Sequence, residues 1–332
     1  MNSVGVGVVG CGFVGRGAHV PAIAEIEDAR LVAIADADPK RLKKTTAKYN
    51  VPSSYSDYAD LVQDSQVDAV IIALPTPLHA KATIAAIEAG KHVLCEMPLA
   101  AKLDEADTII DAAKQKGVTL MPGLTFRFTP NYVKAKEMID RGVLGAPTAL
   151  LYREFIPARD LARQWPAGSW VWDVESSGGP LFTLAVWSID LLRWLTGAEI
   201  TEVHGSANYT VLDKLGGTLG YDASATLKLA NGVVASLQYS GSVTQSASTS
   251  VLEVVGDSTS LLRATGNDKL AILGDEPAIT EWNVKQPGAR MWGHLQQDAH
   301  FVRSILDGKT PDITPEDGRL AMEVAQKIAV RS

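Results

Sequence analysis

The stretch that decides the fold is "VGVGVVGCGFVGRG", Val4–Gly17. An apolar run, Val4 to Val9, leads into Gly10, Gly12 and Gly15 in the spacing G-x-G-x-x-G. This is the pattern of a strand that turns sharply into a helix. The first glycine allows the tight turn, the second lets backbone approach a pyrophosphate, and the third lets helix and strand pack closely. Phe13 and Val14 complete the loop, and an anion is expected at the helix N-terminus that follows. Further on, "LVAIADAD" places Asp36 at the tip of a second strand, about twenty residues after the last glycine. A carboxylate there accepts hydrogen bonds from ribose hydroxyls and repels a 2′-phosphate, so NAD is favoured over NADP. Lys40 and Arg41, close in sequence, temper that preference.

Outward from this loop, short apolar runs alternate with helical stretches. Leu31–Ala35, Ala69–Leu74, His92–Cys95 and Thr119–Met121 read as strands. In "TPLHAKATIAAIEAG", Thr76 is expected to cap a helix, Pro77 fits its first turn and Gly90 ends it. A second helix is expected over Leu103–Lys116. The alternation predicts an α/β fold, with an N-terminal Rossmann domain over residues 1–122 built on a parallel sheet. From residue 123 to 332 the texture changes to an α+β domain with a large, mainly antiparallel open sheet. Helices are expected near Pro130–Arg141, Leu181–Leu195, His294–Leu306 and Pro315–Val330, and a strand near Thr148–Phe155. Residues 202–274 are rich in Thr, Val and Ser, and Asn231-Gly232 joins two alternating runs as a hairpin.

Bulk properties narrow the function. The chain has 332 residues, a formal net charge of -7 and 46% hydrophobic residues, which gives no electrostatic reason to bind nucleic acid or anionic membrane. A small-molecule substrate is the expected partner. The start "MNSVGVGVVGCG" lacks a basic n-region and a long apolar segment, so a cytoplasmic location is expected. Two cysteines, Cys11 and Cys95, cannot make a disulfide framework and read as small buried hydrophobes. No metal site is expected.

The chain resembles the glucose-fructose oxidoreductase, inositol dehydrogenase and MocA family (Gfo/Idh/MocA) over nearly its whole length. The matching pieces are the glycine loop, "ADADP", "IIALPTPLHAKATIAAIEAGKHVLCEMPLA", "RFTPNY", "GVLGAPT", "WSIDLLRWLTG" and "TPEDGRLAMEVAQKI". The resemblance implies NAD as cofactor and sugars, inositols or related cyclic polyols as substrates, bound between the domains. It also implies a homodimer or homotetramer formed through the outer faces of the second-domain sheets. Leu74, Thr76, His79, Glu96, Met97 and Trp170 are then expected at the nicotinamide half of the cofactor. His79 lies in the first turn of its helix, where the dipole disfavours an imidazolium.

The resemblance breaks at the family's catalytic set, a lysine in E-K-P with an aspartate and a histidine four residues apart on a helix. Those positions hold Met97, Thr183 and Trp187, and Pro180 stands in place of a glycine. Positioned acid–base catalysis contributes about 10²- to 10⁴-fold. Met97 carries no proton, and Thr183 and Trp187 are poor bases at neutral pH. Substitute proton carriers are Tyr152 and Glu154, which share one strand face, and Asp173, Glu175 and Asp190. Tyr152, Trp172, Thr183 and Trp187 are the expected substrate-pocket residues, with Trp165 and Trp170 nearby as stacking faces or as core anchors. Three readings stay open: hydride transfer to or from a small cyclic or planar substrate, a catalytically silent NAD/sugar-binding sensor or regulator, and an NAD-assisted lyase or glycosidase.

Overall fold

The computed structural model describes residues 3–212, 218–274, 280–283 and 291–329. By contacts the chain forms two compact units, Met1–Thr125 with Gly288–Leu320, and Phe126–Pro287 with Ala321–Ser332. A single cut at residue 122 therefore misses the return of 288–320 to the first unit. The longer helices are α1 (Pro39–Tyr49), α2 (Thr76–Glu88), α3 (Leu103–Lys116), α4 (Pro130–Asp140), α5 (Gly179–Thr196), α6 (His294–Asp307) and α7 (Pro315–Ala329).

In the first unit, β1 (Val4–Val9), β2 (Ala29–Ala35), β3 (Ser53–Tyr55), β4 (Ala69–Ile72), β5 (His92–Glu96) and β6 (Leu120–Gly123) form one sheet in the order β3-β2-β1-β4-β5-β6. Every pairing is parallel. Every residue of β1 and β4 is buried, as a strand covered on both faces requires. The strand order reverses between β1 and β4, and ligands of such sheets bind at the carboxyl ends of the strands beside that point. Helix α1 starts at Asp38, whose side chain accepts from the Lys40 and Arg41 amides at 2.8 and 3.2 Å. Helix α2 differs from expectation at its start: Pro75 is the cap position and Thr76 is the first helical residue, with no side-chain cap. Prolines at the cap and first turn already fix the backbone there. Helix α3 ends at Gly117, φ 67°, which supplies the left-handed turn. Helix α6 packs on β1 and on the helical turn Gly15–His19.

In the second unit, β7 (Pro147–Phe155), β8 (Ile200–Leu212), β9 (Thr218–Leu229), β10 (Val234–Ser240), β11 (Thr249–Gly256), β12 (Leu261–Thr265), β13 (Lys269–Leu273) and β14 (Thr280–Asn283) form the order β14-β13-β12-β11-β7-β10-β9-β8. Among the described residues the one parallel pair is β7 with β10. Tyr221, Ala223, Ala225, Leu227 and Leu229 are buried while Ser224, Thr226 and Lys228 between them are exposed, so one face carries the core. Helix α4 packs on β12 and β13, and α5 packs on β7 and β9. Asn231-Gly232 makes the expected hairpin turn, Gly232 at φ 88° and Leu229 N–H donating to the Val233 carbonyl at 2.9 Å.

Candidate functional site

The glycine loop is shaped as its spacing requires. Gly10 has φ 98°, and a Cβ there would lie 2.3 Å from the Ala73 carbonyl oxygen. At Gly15 a Cβ would lie 1.8 Å from the Gly10 carbonyl oxygen, so helix and strand meet backbone to backbone. Gly12 is the opposite case: nothing lies within 4 Å of its Cβ position, which leaves the open space a pyrophosphate needs. Phe13 is exposed and Val14 half-buried. Asp36 is buried at the tip of β2, accepting from the Cys11 amide at 2.7 Å and the Asp38 amide at 2.7 Å. The half-exposed Arg41 guanidinium pairs with the same carboxylate at 2.9 Å. Arg41 thus places a positive charge beside the acidic tip. Cys11 and Cys95 are both buried and unpaired with each other, and burial pushes their thiols up to about 11 and about 12.

At the ends of β4 and β5, Thr76, His79, Glu96 and Met97 are buried and Leu74 is half-buried. The ring nitrogens of His79 lie 2.7 Å from the Pro98 carbonyl oxygen and 2.7 Å from the Leu74 carbonyl oxygen. Burial pushes His79 below the usual histidine range despite those two acceptors. A neutral ring carries one N–H, so His79 donates to one of these two carbonyls and packs against the other.

A second buried histidine joins the same region, and sequence reasoning missed it. His19 closes an i→i+5 turn, Val20 N–H donating to the Gly15 carbonyl. Its Nδ1 lies 2.9 Å from Asp298 Oδ2 on α6, and its Nε2 lies 2.9 Å from Glu96 Oε1 at the end of β5. His294, also on α6, brings Nε2 within 3.4 Å of Glu96 Oε1, and its ring meets that of His19 edge-on at 5.0 Å. Burial opposes charge on His19, but Asp298 and Glu96 outweigh it and raise the imidazole to about 10. The two histidines hold Glu96 well below the usual carboxylate range against its own burial. His19, Glu96 and His294 offer ligand-type atoms within 4.8 Å of one another. The His19 Nδ1 faces Asp298 and its Nε2 faces Glu96, so a carboxylate lies beside each ring nitrogen. Position 279 residues apart in sequence explains why no motif signalled the His19–Asp298 pair.

In the second unit the expected proton carriers separate cleanly. Asp190 is fully buried and held by Arg127, at 2.6 and 2.8 Å, so it is a structural ion pair. Asp173 caps the short helix Val174–Ser177, accepting from the Glu175 amide at 3.0 Å, and Glu175 is exposed in its first turn. Tyr152 and Glu154, by contrast, stand together on the core face of β7. Tyr152 is buried and its hydroxyl donates to Glu154 Oε1 at 3.2 Å, with Ser250 Oγ at 3.4 Å. Glu154 is half-buried, so it is enclosed yet reachable. Burial pushes its carboxyl up to about 7, and the Tyr152 hydroxyl only partly offsets that. Tyr132 and Tyr239 are buried and raised by burial to about 12 and above, so both stay neutral phenols. Tyr152 and Tyr221 are likewise raised, by burial first and Glu154 second.

The tryptophans divide too. Trp172 donates its indole N–H to the Trp165 carbonyl at 2.7 Å, and Trp165 and Trp170 meet edge-on at 6.1 Å. Trp172, expected in the substrate pocket, uses its one donor to fold its own segment. Trp187 is half-buried on α5. Thr183 is buried, and its hydroxyl has no hydrogen-bond partner among the described residues. No helix among the described residues is long and apolar enough to cross a membrane.

Residues 4–124 match the Gfo/Idh/MocA oxidoreductase family, NAD-binding Rossmann fold, and residues 132–262 match the Gfo/Idh/MocA C-terminal domain. The uncharacterized oxidoreductase YrbE of Bacillus subtilis is 32% identical over 69% of this chain, a match spanning 64% of its own length. The myo-inositol 2-dehydrogenase of Thermotoga maritima is 28% identical over 96% of this chain and 92% of its own. Among solved structures, scyllo-inositol dehydrogenase from Lactobacillus casei, with bound NAD(H) and scyllo-inositol, superposes with a TM-score of 0.78 at 26% identity. The superposition covers 98% of this chain and 96% of that one. The chain belongs to the Gfo/Idh/MocA family of oxidoreductases, whose N-terminal domain is an NAD-binding Rossmann fold.

Proposed function

We propose that the protein is an NAD-dependent dehydrogenase of a small cyclic polyol or sugar-like substrate, in which Glu154 replaces the family's lysine-centred set as proton carrier. NAD, when bound at Gly10, Gly12, Gly15 and Asp36, supplies the hydride acceptor. Leu74, Thr76, His79, Glu96, Met97 and Trp170 are the residues assigned to its nicotinamide half. The thioether of Met97 fills space beside the ring and moves no proton. Glu154 takes the proton from the substrate hydroxyl as its carbon gives up hydride, leaving a carbonyl and a protonated carboxyl. In reduction the same carboxyl returns the proton to oxygen. Tyr152 holds Glu154 in place, its hydroxyl donating its one proton to Glu154 Oε1. Thr183, whose hydroxyl has no partner among the described residues, and Trp187 shape the substrate side.

The observation that carries this reading is the enclosed Tyr152–Glu154–Ser250 cluster, with its carboxyl at about 7, where a general base is most effective near neutral pH. The substrate class comes from the inositol dehydrogenases similar to this chain. The test is NADH formation from NAD across inositols, anhydrosugars and pentoses, with the parent and with Glu154→Gln. The variant is expected to bind NADH as the parent does and to lose about 10²-fold or more in kcat. Turnover retained in Glu154→Gln contradicts the assignment. Tight NADH binding with no turnover of any such substrate by the parent favours the silent sensor instead.

A further inference from the structure

The first unit uses a buried salt-bridge chain to connect its dinucleotide loop to residues almost three hundred positions away. His19 sits at the end of the turn that starts at Gly15, with no exposure to solvent. On one side it meets Asp298, also fully buried, and on the other Glu96, the last residue of β5. His294 adds a second contact to the same Glu96 oxygen. Met97 follows Glu96 directly, and the His79 ring packs between the Pro98 and Leu74 carbonyls, 2.7 Å from each. The loops at the carboxyl ends of β1, β4 and β5 are therefore joined by two histidines, and the whole assembly is anchored on α6. These are the loops that border the ligand crevice of a sheet with this strand order.

A bridge of this kind is expensive to bury, and removing one partner strands a charge. Hydrophobic packing would hold α6 to β1 as well. What packing does not do is fix the distance between the glycine loop and the end of β5, because it has no direction. Two charge-assisted hydrogen bonds on opposite sides of one ring do fix it.

We propose that His19 and Asp298 are positioning residues for the dinucleotide: the ring bridging Glu96 and Asp298 locks the glycine-loop turn and the end of β5 onto α6, and this sets cofactor affinity. The inference rests on the family's cofactor and not on the assignment of Glu154, so each can fail alone. The effect is expected to travel from Asp298 without any contact between Asp298 and the cofactor.

The test measures NADH affinity by fluorescence titration of the full-length chain, well below the Tm of each variant. His19→Gln and Asp298→Asn are each expected to weaken NADH binding by about tenfold. The pair His19→Gln with Asp298→Asn is expected to be no weaker than the worse single variant, because both remove one coupling. A role in stability alone lowers Tm and leaves affinity within about twofold of the parent, and that result overturns the proposal. Should His19→Gln not fold, Asp298→Asn keeps shape and decides the matter. Nitrogen NMR of the parent gives an independent reading: both His19 ring nitrogens are expected to carry protons at pH 7 and to shift when NADH binds. A neutral His19 ring, or uptake of one zinc ion per chain that His294→Ala abolishes, overturns the proposal.

Discussion

Glu154, the proposed proton carrier, carries a cost to the fold. Its carboxyl stands at about 7 against an ordinary 4.5, so the folded state binds its proton more tightly than the unfolded chain. That contribution to stability is complete below pH 4.5 and is lost as pH rises through about 7. Glu154→Gln removes the loss, and its Tm relative to the parent is expected to rise across that window in thermal melts. The glycines make the other residue-scale prediction. Gly12→Ala places a methyl in open space, so the protein is expected to fold normally and bind NADH at least about tenfold more weakly. Gly15→Ala drives a methyl onto the Gly10 carbonyl oxygen and is expected to lose at least about 2 kcal/mol of stability in denaturant unfolding. Equal effects from the two substitutions contradict this reading of the loop.

Among the elements, helix α5 shows what the sequence could and could not disclose. Its periodic apolar residues announced a helix over Leu181–Leu195, and it runs Gly179–Thr196. The same sequence offered Asp190 as a proton carrier, because nothing in it reveals Arg127, 63 residues earlier, as a bidentate partner. Asp190→Asn leaves Arg127 largely buried without its counter-charge and is expected to cost about 3–5 kcal/mol by denaturant unfolding. A variant as stable as the parent contradicts the structural assignment. Local chemistry was readable wherever it involved neighbours along the chain: the glycine loop, the acidic tip at Asp36, the strand face shared by Tyr152 and Glu154. The bond from the Trp172 indole to the Trp165 carbonyl is not legible in the sequence, because it lies within an irregular segment where no period guides the reading. His19, His294 and Asp298 were invisible for a different reason: they meet only when α6 returns to the first unit.

That return is a property of the whole molecule. The alternation of strands and helices identified the parallel sheet, and the Thr- and Val-rich hairpins identified the antiparallel one, so fold class was legible from end to end. The division of the chain was less so, since 288–320 rejoins the first unit after the second has been built. The outer face of the eight-stranded sheet exposes Leu151 on β7 and Val234 on the neighbouring β10, opposite Ser236 and Ala149 respectively, and family resemblance implies association through it. Leu151→Asp is expected to lower the molecular mass seen by light scattering to that of the monomer, and an unchanged mass contradicts association through this face. The family's NAD-binding Rossmann domain is present, and Glu154 is the proposed proton carrier. The pH dependence of kcat/KM for polyol oxidation, parent against Glu154→Gln, tests that most directly. The parent is expected to gain activity as pH rises through about 7, when Glu154 loses its proton, and the variant to be slow and flat over the same range. The same inflection in both proteins contradicts it.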